Sequence, residues 1–108
     1  MSRKTLGEFE HLILLSILRL GEKAYGAAIT EEVEERTGRS VNQAAAYLTL
    51  RRLEEKGWVG SRMGAPTAER GGRAKRFFEL RPEGQARLRD SRAELLSMWE
   101  GIGVELDF

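Results

Sequence analysis

The sequence predicts a mainly α-helical fold with one small β-hairpin, in the order helix, helix, helix, hairpin, helix. Between residues 6 and 57, apolar side chains recur every three or four positions, which is the spacing of one face of an α-helix. Two short β-prone runs then flank a stretch that contains glycine and proline, and a last helical pattern follows them. Because the chain has 108 residues, it has room for a single domain.

The first helix is predicted from Leu6 to Leu20. Its apolar face comprises Leu6, Phe9, Ile13, Ile17 and Leu20, widened by Leu12, Leu15 and Leu18. A helix that is apolar over so much of its circumference must be covered on more than one side. Thr5 can cap its start, with Glu8 at the spacing of a capping box, and Gly21 ends it.

The second and third helices are predicted to follow in close succession. The second runs from Tyr25 to Thr37 and is closed by Gly38, with its glutamates facing outward. Ser40 opens the third helix, which ends at Gly57. The core side of the third helix is predicted to comprise Ala46, Leu50 and Leu53. Its other side, polar at first and basic further along, is predicted to comprise Ser40, Gln43, Ala44, Tyr47 and Arg51.

The hairpin is predicted from two β-prone runs, Trp58 to Met63 and Lys75 to Leu80, joined by a long tip that contains glycine. Pro82 suits the first turn of the last helix, because its missing N–H costs nothing there. Three helices followed by a two-stranded wing form a winged helix-turn-helix, in which the third helix is the one offered to the DNA major groove.

The last helix carries more apolar side chains than so small a core can absorb. These side chains recur at Leu88, Leu95, Trp99, Ile102 and Leu106. Such a seam calls for a partner helix, and a two-fold homodimer is the commonest solution; the alternative is that the seam folds back on the first helix. We therefore divide the chain into a winged-helix DNA-binding domain, residues 1–81, and a C-terminal dimerisation helix, residues 82–108, within one compact unit.

The third helix offers the side chains that reading DNA requires. Base edges are read by polar side chains on the first turns of such a helix, and phosphates are neutralised by cations. The candidates are Ser40, Asn42, Gln43, Ala44, Tyr47 and Arg51. Asn42 and Gln43 carry amides that can pair with adenine, and Tyr47 can donate its hydroxyl group to a phosphate. The alternative is that Ser40 and Gln43 only cap the helix and that Tyr47 packs against the protein.

The near-neutral total of 18 basic and 17 acidic side chains hides a sorted distribution. Residues 62–81 hold six basic and two acidic side chains, whereas residues 27–37 and 83–108 are acidic. At the hairpin tip, cations surround two glycines, which let a backbone approach a phosphate closely. The wing residues predicted to contact DNA are Arg70, Gly71, Gly72, Arg73 and Lys75. The alternative is an ordinary turn with basic flanks.

Composition excludes several classes of chemistry. With no cysteine and a single histidine, the chain lacks a thiolate nucleophile, a disulfide and a cysteine zinc site. His11 lies in an apolar stretch and is predicted to be a partly exposed helix residue. No apolar run approaches the roughly 20 residues of a membrane helix. We expect no cofactor, no metal, no membrane contact and no enzymatic activity, and we expect a cytoplasmic, nucleoid-associated protein.

Three stretches of the chain resemble the PadR family of bacterial winged-helix transcriptional regulators. They are Leu12–Leu18 with Tyr25-Gly26, Tyr47–Val59, and Gly71–Leu80 with Gly84. The resemblance implies a homodimeric repressor that binds an operator and is released by a signal, a phenolic acid in the prototype group and a drug-like molecule in others. A palindromic operator follows from the two-fold symmetry of such a dimer. A winged helix that binds protein without direct DNA readout is the alternative.

The resemblance also assigns roles to individual residues. Tyr47 is the family's recognition-helix tyrosine, and Leu95 and Trp99 belong to its dimer arm. Tyr25 precedes the position where the family has a Gly-Tyr pair, and we add it to the predicted contacts with the DNA backbone. This chain has Ala44-Ala45-Ala46 where the family often has hydroxyl-bearing residues or glycine, so contact with thymine methyl groups is what these positions can offer.

Overall fold

A computed structural model describes residues 5–65 and 74–103 of the chain. The elements are α1 (Glu8–Leu20), a 3₁₀ turn (Gly21–Lys23), α2 (Gly26–Thr37), α3 (Gln43–Glu55), β1 (Val59–Met63), β2 (Arg76–Leu80) and α4 (Pro82–Trp99). The predicted order of helices and hairpin is confirmed. Gly21 and Gly38 close α1 and α2 with positive φ angles, as a side-chain-free residue can without strain.

Two predicted helix caps were wrong by a few residues. Helix α1 begins at Glu8 rather than near Thr5, because the Glu10 carboxylate accepts a hydrogen bond of 2.8 Å from the Gly7 N–H and completes the cap there. Helix α3 is capped by Asn42 rather than Ser40, since the Asn42 side-chain oxygen accepts from the Ala45 N–H at 2.9 Å. Both helices therefore start later than their sequence signals indicate.

The core lies where the three helices meet the base of the hairpin. Its buried apolar members are Ile13, Leu14, Ile17, Ala24, Ile29, Val33, Ala46, Leu50, Leu53, Trp58, Val59, Phe78 and Leu88. The antiparallel strands pair Val59 with Leu80 at the base and Met63 with Arg76 at the far end. The Phe78 N–H also donates to the Ala24 carbonyl at 2.8 Å, which joins the hairpin to the segment that leads into α2.

Helix α4 is tightly anchored at its beginning. Pro82 occupies its first turn, as predicted, and a Cβ atom added to Gly84 would lie 2.1 Å from the Trp58 carbonyl oxygen. Leu88 is 7% exposed and belongs to the core of its own chain, so its prediction as a dimer-interface residue was wrong. The physical reason is that the apolar period of α4 runs unbroken past the point where the helix leaves the core. The division of the chain into a DNA-binding domain, residues 1–81, and a dimerisation helix, residues 82–108, stays a prediction.

Within the described residues, no helix has both the length and the apolar character to cross a membrane.

Candidate nucleic-acid interface

Helix α3 presents one face to solvent and is firmly held on the other. Its buried side comprises Ala46, Thr49, Leu50 and Leu53. The predicted candidates Gln43, Ala44, Tyr47 and Arg51 all lie on the exposed side. Tyr47 is 51% exposed, so the alternative in which it packs into the protein does not describe this structure. Four of the predicted recognition residues are therefore brought together on one accessible surface.

The start of α3 is held by hydrogen bonds of two kinds. Asn42 caps the helix as described, and the Val41 N–H donates to the Glu34 carboxylate of α2 at 2.9 Å. Ser40 is exposed just before this point. The side-chain oxygen of Asn42 already accepts from the Ala45 N–H. This favours Gln43 as the amide that can pair with adenine through both its oxygen and its nitrogen.

The cations near α3 differ in how they are engaged. Lys56 forms an ion pair with Glu10 at 3.3 Å and lies 4.7 Å from the centre of the Trp58 ring. Arg52 donates to the Thr49 hydroxyl at 3.4 Å. Arg51 is exposed and has no ion-pair partner within residues 5–65 and 74–103. Arg51 is therefore the α3 cation that is best placed to meet a phosphate or a guanine edge.

The outer half of the wing is joined to the residue before α2 by an aromatic stack. Lys75 places its ammonium 4.3 Å from the centre of the Tyr25 ring, and the Tyr25 and Phe77 rings meet edge to face at 5.7 Å. The Arg62 guanidinium lies 5.1 Å from the Phe77 ring, and Tyr25 and Phe77 also form a β-bridge. Tyr25 is half-buried in this stack, so the structure gives it a wing-holding role beside its predicted contact with DNA.

A second tie connects the wing to α3. The Ser61 hydroxyl donates to the Glu54 carboxylate at 2.6 Å and accepts from the Arg76 guanidinium at 2.9 Å. The wing is thus attached to both α2 and α3, which sets its direction relative to the exposed face of α3. The remaining wing candidates, Arg70, Gly71, Gly72 and Arg73, lie outside the described residues, as does Leu106.

Three functional candidates escaped the sequence analysis. Phe77 and Arg62 complete the aromatic stack, and their position on facing strands was the available signal, because the strand register pairs them directly. Leu48 is 59% exposed on α3, one turn after Ala44. Its signal was the absence of Leu48 from the apolar period that places Ala46, Leu50 and Leu53 in the core.

The second half of α4 carries a group of exposed apolar side chains. From Arg92 to the end of the helix every residue is exposed. Leu95 and Trp99 of α4, together with Ile102 just beyond its end, are called the α4 seam. Each is about half exposed, so α1 leaves a large part of their apolar surface uncovered. Leu15 and Leu18 of α1 are also exposed beside α4. Leu96 and Met98, neither of them predicted, add to the apolar surface.

His11 joins α1 to α4 at the edge of this surface. Its Nδ1 atom lies 2.8 Å from the Ser91 hydroxyl oxygen, and burial lowers the pKa of the imidazole. On α2, hydrogen bonds from Arg36 and then Arg19 lower the pKa of the partly buried Glu32 carboxyl. The residues that the structure describes contain no cluster of potential metal ligands.

Comparisons with known proteins agree with this architecture. The family model described as "Transcriptional regulator PadR-like family" matches residues 14–90. A PadR family transcription regulator from Clostridium difficile is 28% identical, over 83% of this chain and 90% of that chain, with a TM-score of 0.65. One from Eggerthella lenta is 25% identical, over 93% and 88% of the two chains, with a TM-score of 0.67.

A third similar structure is that of Bacillus subtilis PadR in complex with operator DNA. It is 27% identical over 76% of this chain, which spans 46% of the Bacillus chain, with a TM-score of 0.62. A comparison with curated proteins gives no significant match. The family match covers most of the chain and includes the second half of α1, all of α2 and α3, the wing and the anchored half of α4. The chain belongs to the PadR-like family of transcriptional regulators, which are not enzymes.

Proposed function

We propose that this protein is a sequence-specific DNA-binding repressor that acts as a homodimer on a palindromic operator. The observation that carries the proposal is the exposed face of α3, which presents the amide of Gln43, the hydroxyl of Tyr47 and the cation of Arg51 while its opposite face is fixed in the core. The operator complex of Bacillus subtilis PadR supports the same use of the fold. Such a protein works in the cytoplasm, at the nucleoid.

The exposed groups divide naturally into readers and phosphate contacts. Gln43 and Arg51 can hydrogen-bond base edges in the major groove, while Ser40, Asn42 and Tyr47 can reach the backbone. Lys75 and the wing residues Arg70, Gly71, Gly72 and Arg73 are proposed to follow the adjacent groove. Tyr25 holds the outer half of that wing through Lys75 and Phe77. A bound dimer would repress by occupying the DNA that transcription needs.

Binding to selected DNA tests the first part of the proposal. Duplexes enriched by the protein from a random-sequence library are labelled and titrated by fluorescence anisotropy at several salt concentrations. Affinity should fall steeply with salt, because each phosphate contact releases counterions. Arg51→Gln should weaken binding, whereas Arg89→Gln, which removes another exposed charge, on α4, should not. Absence of salt-sensitive binding by the wild-type protein would contradict the proposal.

Sequence preference separates the reader from the cap. Gln43→Ala is expected to change the sequences that are enriched, since Gln43 would no longer pair with adenine. Replacing Lys75 is expected to weaken binding to all sequences alike, because a phosphate contact carries no sequence information. An unchanged preference in Gln43→Ala would show that this residue serves only the helix start.

The homodimer is proposed to form through the α4 seam and the exposed leucines of α1. Leu95 and Trp99 follow one another at helical spacing, Ile102 lies just beyond the end of α4, and Leu15 and Leu18 extend the apolar surface. Sedimentation equilibrium tests it with a matched pair of charges. Leu95→Asp should raise the dissociation constant of the dimer strongly, whereas Ser97→Asp, on the other side of the same helix, should leave it unchanged. A monomeric wild-type protein would contradict the dimer.

An effector site is proposed in the groove between α1 and α4. The groove has a volume of about 460 Å³ and is lined by Leu6, Gly7, Glu8, His11, Leu12, Leu15, Ser91, Glu94 and Leu95. Its size and its leucines suit a small aromatic or drug-like molecule, with the side chains of His11, Ser91, Glu8 and Glu94 as polar contacts. A panel of phenolic acids should change tryptophan fluorescence through Trp99 and lower DNA affinity. A panel that changes neither would remove the effector from the proposal.

A second candidate function is a protein-interaction module without direct DNA readout. The exposed apolar side chains of α4, including Leu96 and Met98 outside the seam, are the observation that favours it. A stable monomer that binds no DNA at low salt would select this function over the first.

A further inference from the structure

The centre of the exposed face of α3 is apolar. Leu48 is 59% exposed, and Ala44, one turn earlier on the same helix, is also exposed. Side chains at i and i+4 are neighbours on a helix surface, so the two form one continuous apolar strip. Tyr47 lies three residues after Ala44, and Arg51 lies three residues after Leu48, so both border the strip on the same exposed face. The part of α3 best placed to meet base edges therefore combines polar groups with an apolar strip.

Leu48 contributes nothing to the core that would explain an apolar residue here. The buried side of α3 consists of Ala46, Thr49, Leu50 and Leu53, and Leu48 points away from it. The side chain would bury apolar surface only on binding a partner. The cation at Arg51 and the amide at Gln43 border the strip and make a negatively charged, hydrogen-bonding partner more suitable than an apolar protein surface.

In the major groove, the apolar group that a side chain can contact is the C5 methyl of thymine. The remaining groups on the base edges are hydrogen-bond donors and acceptors, which alanine and leucine cannot satisfy. We propose that Leu48, together with Ala44, reads thymine methyl groups in the operator and sets part of its sequence preference. The inference rests on the proposed DNA-binding function and adds a chemical identity to the bases that α3 prefers.

Replacement of thymine by deoxyuridine tests this directly, because it removes the methyl group and keeps base pairing. Each thymine of a duplex selected by the protein from a random-sequence library is replaced in turn, and affinity is measured by anisotropy. At one or more positions in each half-site, the wild-type protein should lose affinity about fourfold, the value for one buried methyl-sized group. In Leu48→Ala, the difference between thymine and deoxyuridine at those positions should disappear.

Matched variants keep the outcome interpretable. Leu96→Ala truncates a leucine of α4 that is 50% exposed, and it should retain the full thymine preference. Leu48→Gln keeps the length of the side chain, makes its end polar and should also lose the preference. Circular dichroism of Leu48→Ala should match that of the wild type, since the side chain lies outside the core.

The possible results separate the inference from the function on which it rests. Salt-sensitive binding with no position that distinguishes thymine from deoxyuridine would overturn the thymine reading and leave the DNA-binding function standing. The same preference in wild type and Leu48→Ala would overturn the role of Leu48. Failure of the wild type to enrich or bind any duplex would overturn both. If Leu48 instead serves a contact between copies of the protein, the wild type should bind no duplex and should self-associate, and Leu48→Ala should abolish the self-association.

Discussion

Helices α3 and α4 both carry exposed apolar side chains, but the two helices are supported in different ways. Helix α3 has buried residues along most of its length, from Ala46 to Leu53, and is tied at its start to α2 through Val41 and Glu34. Helix α4 has its buried residues, Gly84 and Leu88, in its first half only. Beyond Ser91, every residue of α4 is exposed.

The two surfaces are therefore suited to different kinds of partner. A helix that is packed along most of its length holds its exposed side chains in fixed positions, as a recognition helix needs in order to fit a rigid duplex. A helix that leaves its own core with apolar residues still exposed is completed by another protein surface, for which a second copy is the simplest source. Neighbouring charges agree, because the exposed face of α3 carries Arg51 while the α4 seam itself is uncharged.

The largest effect is expected from breaking the support of α3. Leu50→Ala should lower the free energy of unfolding by about 2–5 kcal/mol, because it leaves a cavity at a fully buried position. Chemical denaturation at fixed protein concentration measures it. Leu48→Ala, two residues away on the exposed side, should change stability little. Equal losses in the two variants would mean that α3 has no distinct buried and exposed sides.

The anchoring of α4 is tested next, at its closest approach to the wing. Gly84→Ala should destabilise the protein by roughly 1–3 kcal/mol, because the new methyl group would meet the Trp58 carbonyl, a backbone atom that cannot rotate away. Gly26→Ala is the control, since nothing lies within 4 Å of a Cβ atom there. Thermal unfolding that is unchanged in Gly84→Ala would show that the start of α4 is not held against the hairpin.

A smaller effect is expected at the aromatic stack that aims the wing beside α3. Tyr25→Leu should weaken DNA binding about two- to fivefold, the range expected for loss of one exposed cation–π contact, here with Lys75. Tyr25→Phe keeps the ring and should bind as tightly as the wild type. Anisotropy titration compares the two variants. Weaker binding by Tyr25→Phe would instead assign the hydroxyl group a direct contact with DNA.

The smallest effect concerns pH and the junction of α1 with α4. Burial lowers the pKa of His11 below its ordinary value of 6.5, so the unfolded chain binds the proton more readily than the folded one. Stability should therefore be full above pH 6.5 and fall as the pH drops through this value toward the folded pKa. Melting temperatures across this window should decline less in His11→Gln. An identical decline in both proteins would remove His11 as the cause.

The order of elements was predictable because each element has a local signal. Gly38 and Pro82 mark helix ends through backbone conformation, and the period of Ala46, Leu50 and Leu53 identifies the buried side of α3. The capping errors arose because Ser40 and Asn42 are both good caps, and only the path of the chain between α2 and α3 decides between them.

The rest depends on contacts between distant parts of the chain. Periodicity in α4 could not show that Leu88 is buried in the core while Leu95 is about half exposed. That difference depends on which stretch of α4 the rest of the protein covers. The stack of Tyr25 on Phe77 joins residues far apart in sequence and leaves no local pattern. The sequence does not single out Leu48, because an apolar residue in a helix is ordinarily a core residue. Only the structure shows that this side chain is exposed.

Two α3 helices, joined through α4, are proposed to read one stretch of DNA. Hydroxyl-radical footprinting of a selected duplex, with the bound stoichiometry measured in parallel, distinguishes a bound dimer from a single bound chain. Two chains should protect two symmetric half-sites about 10 base pairs apart, or a multiple of that distance, since paired recognition helices enter successive major grooves on one side of the duplex. A single protected half-site occupied by one chain would contradict the claim.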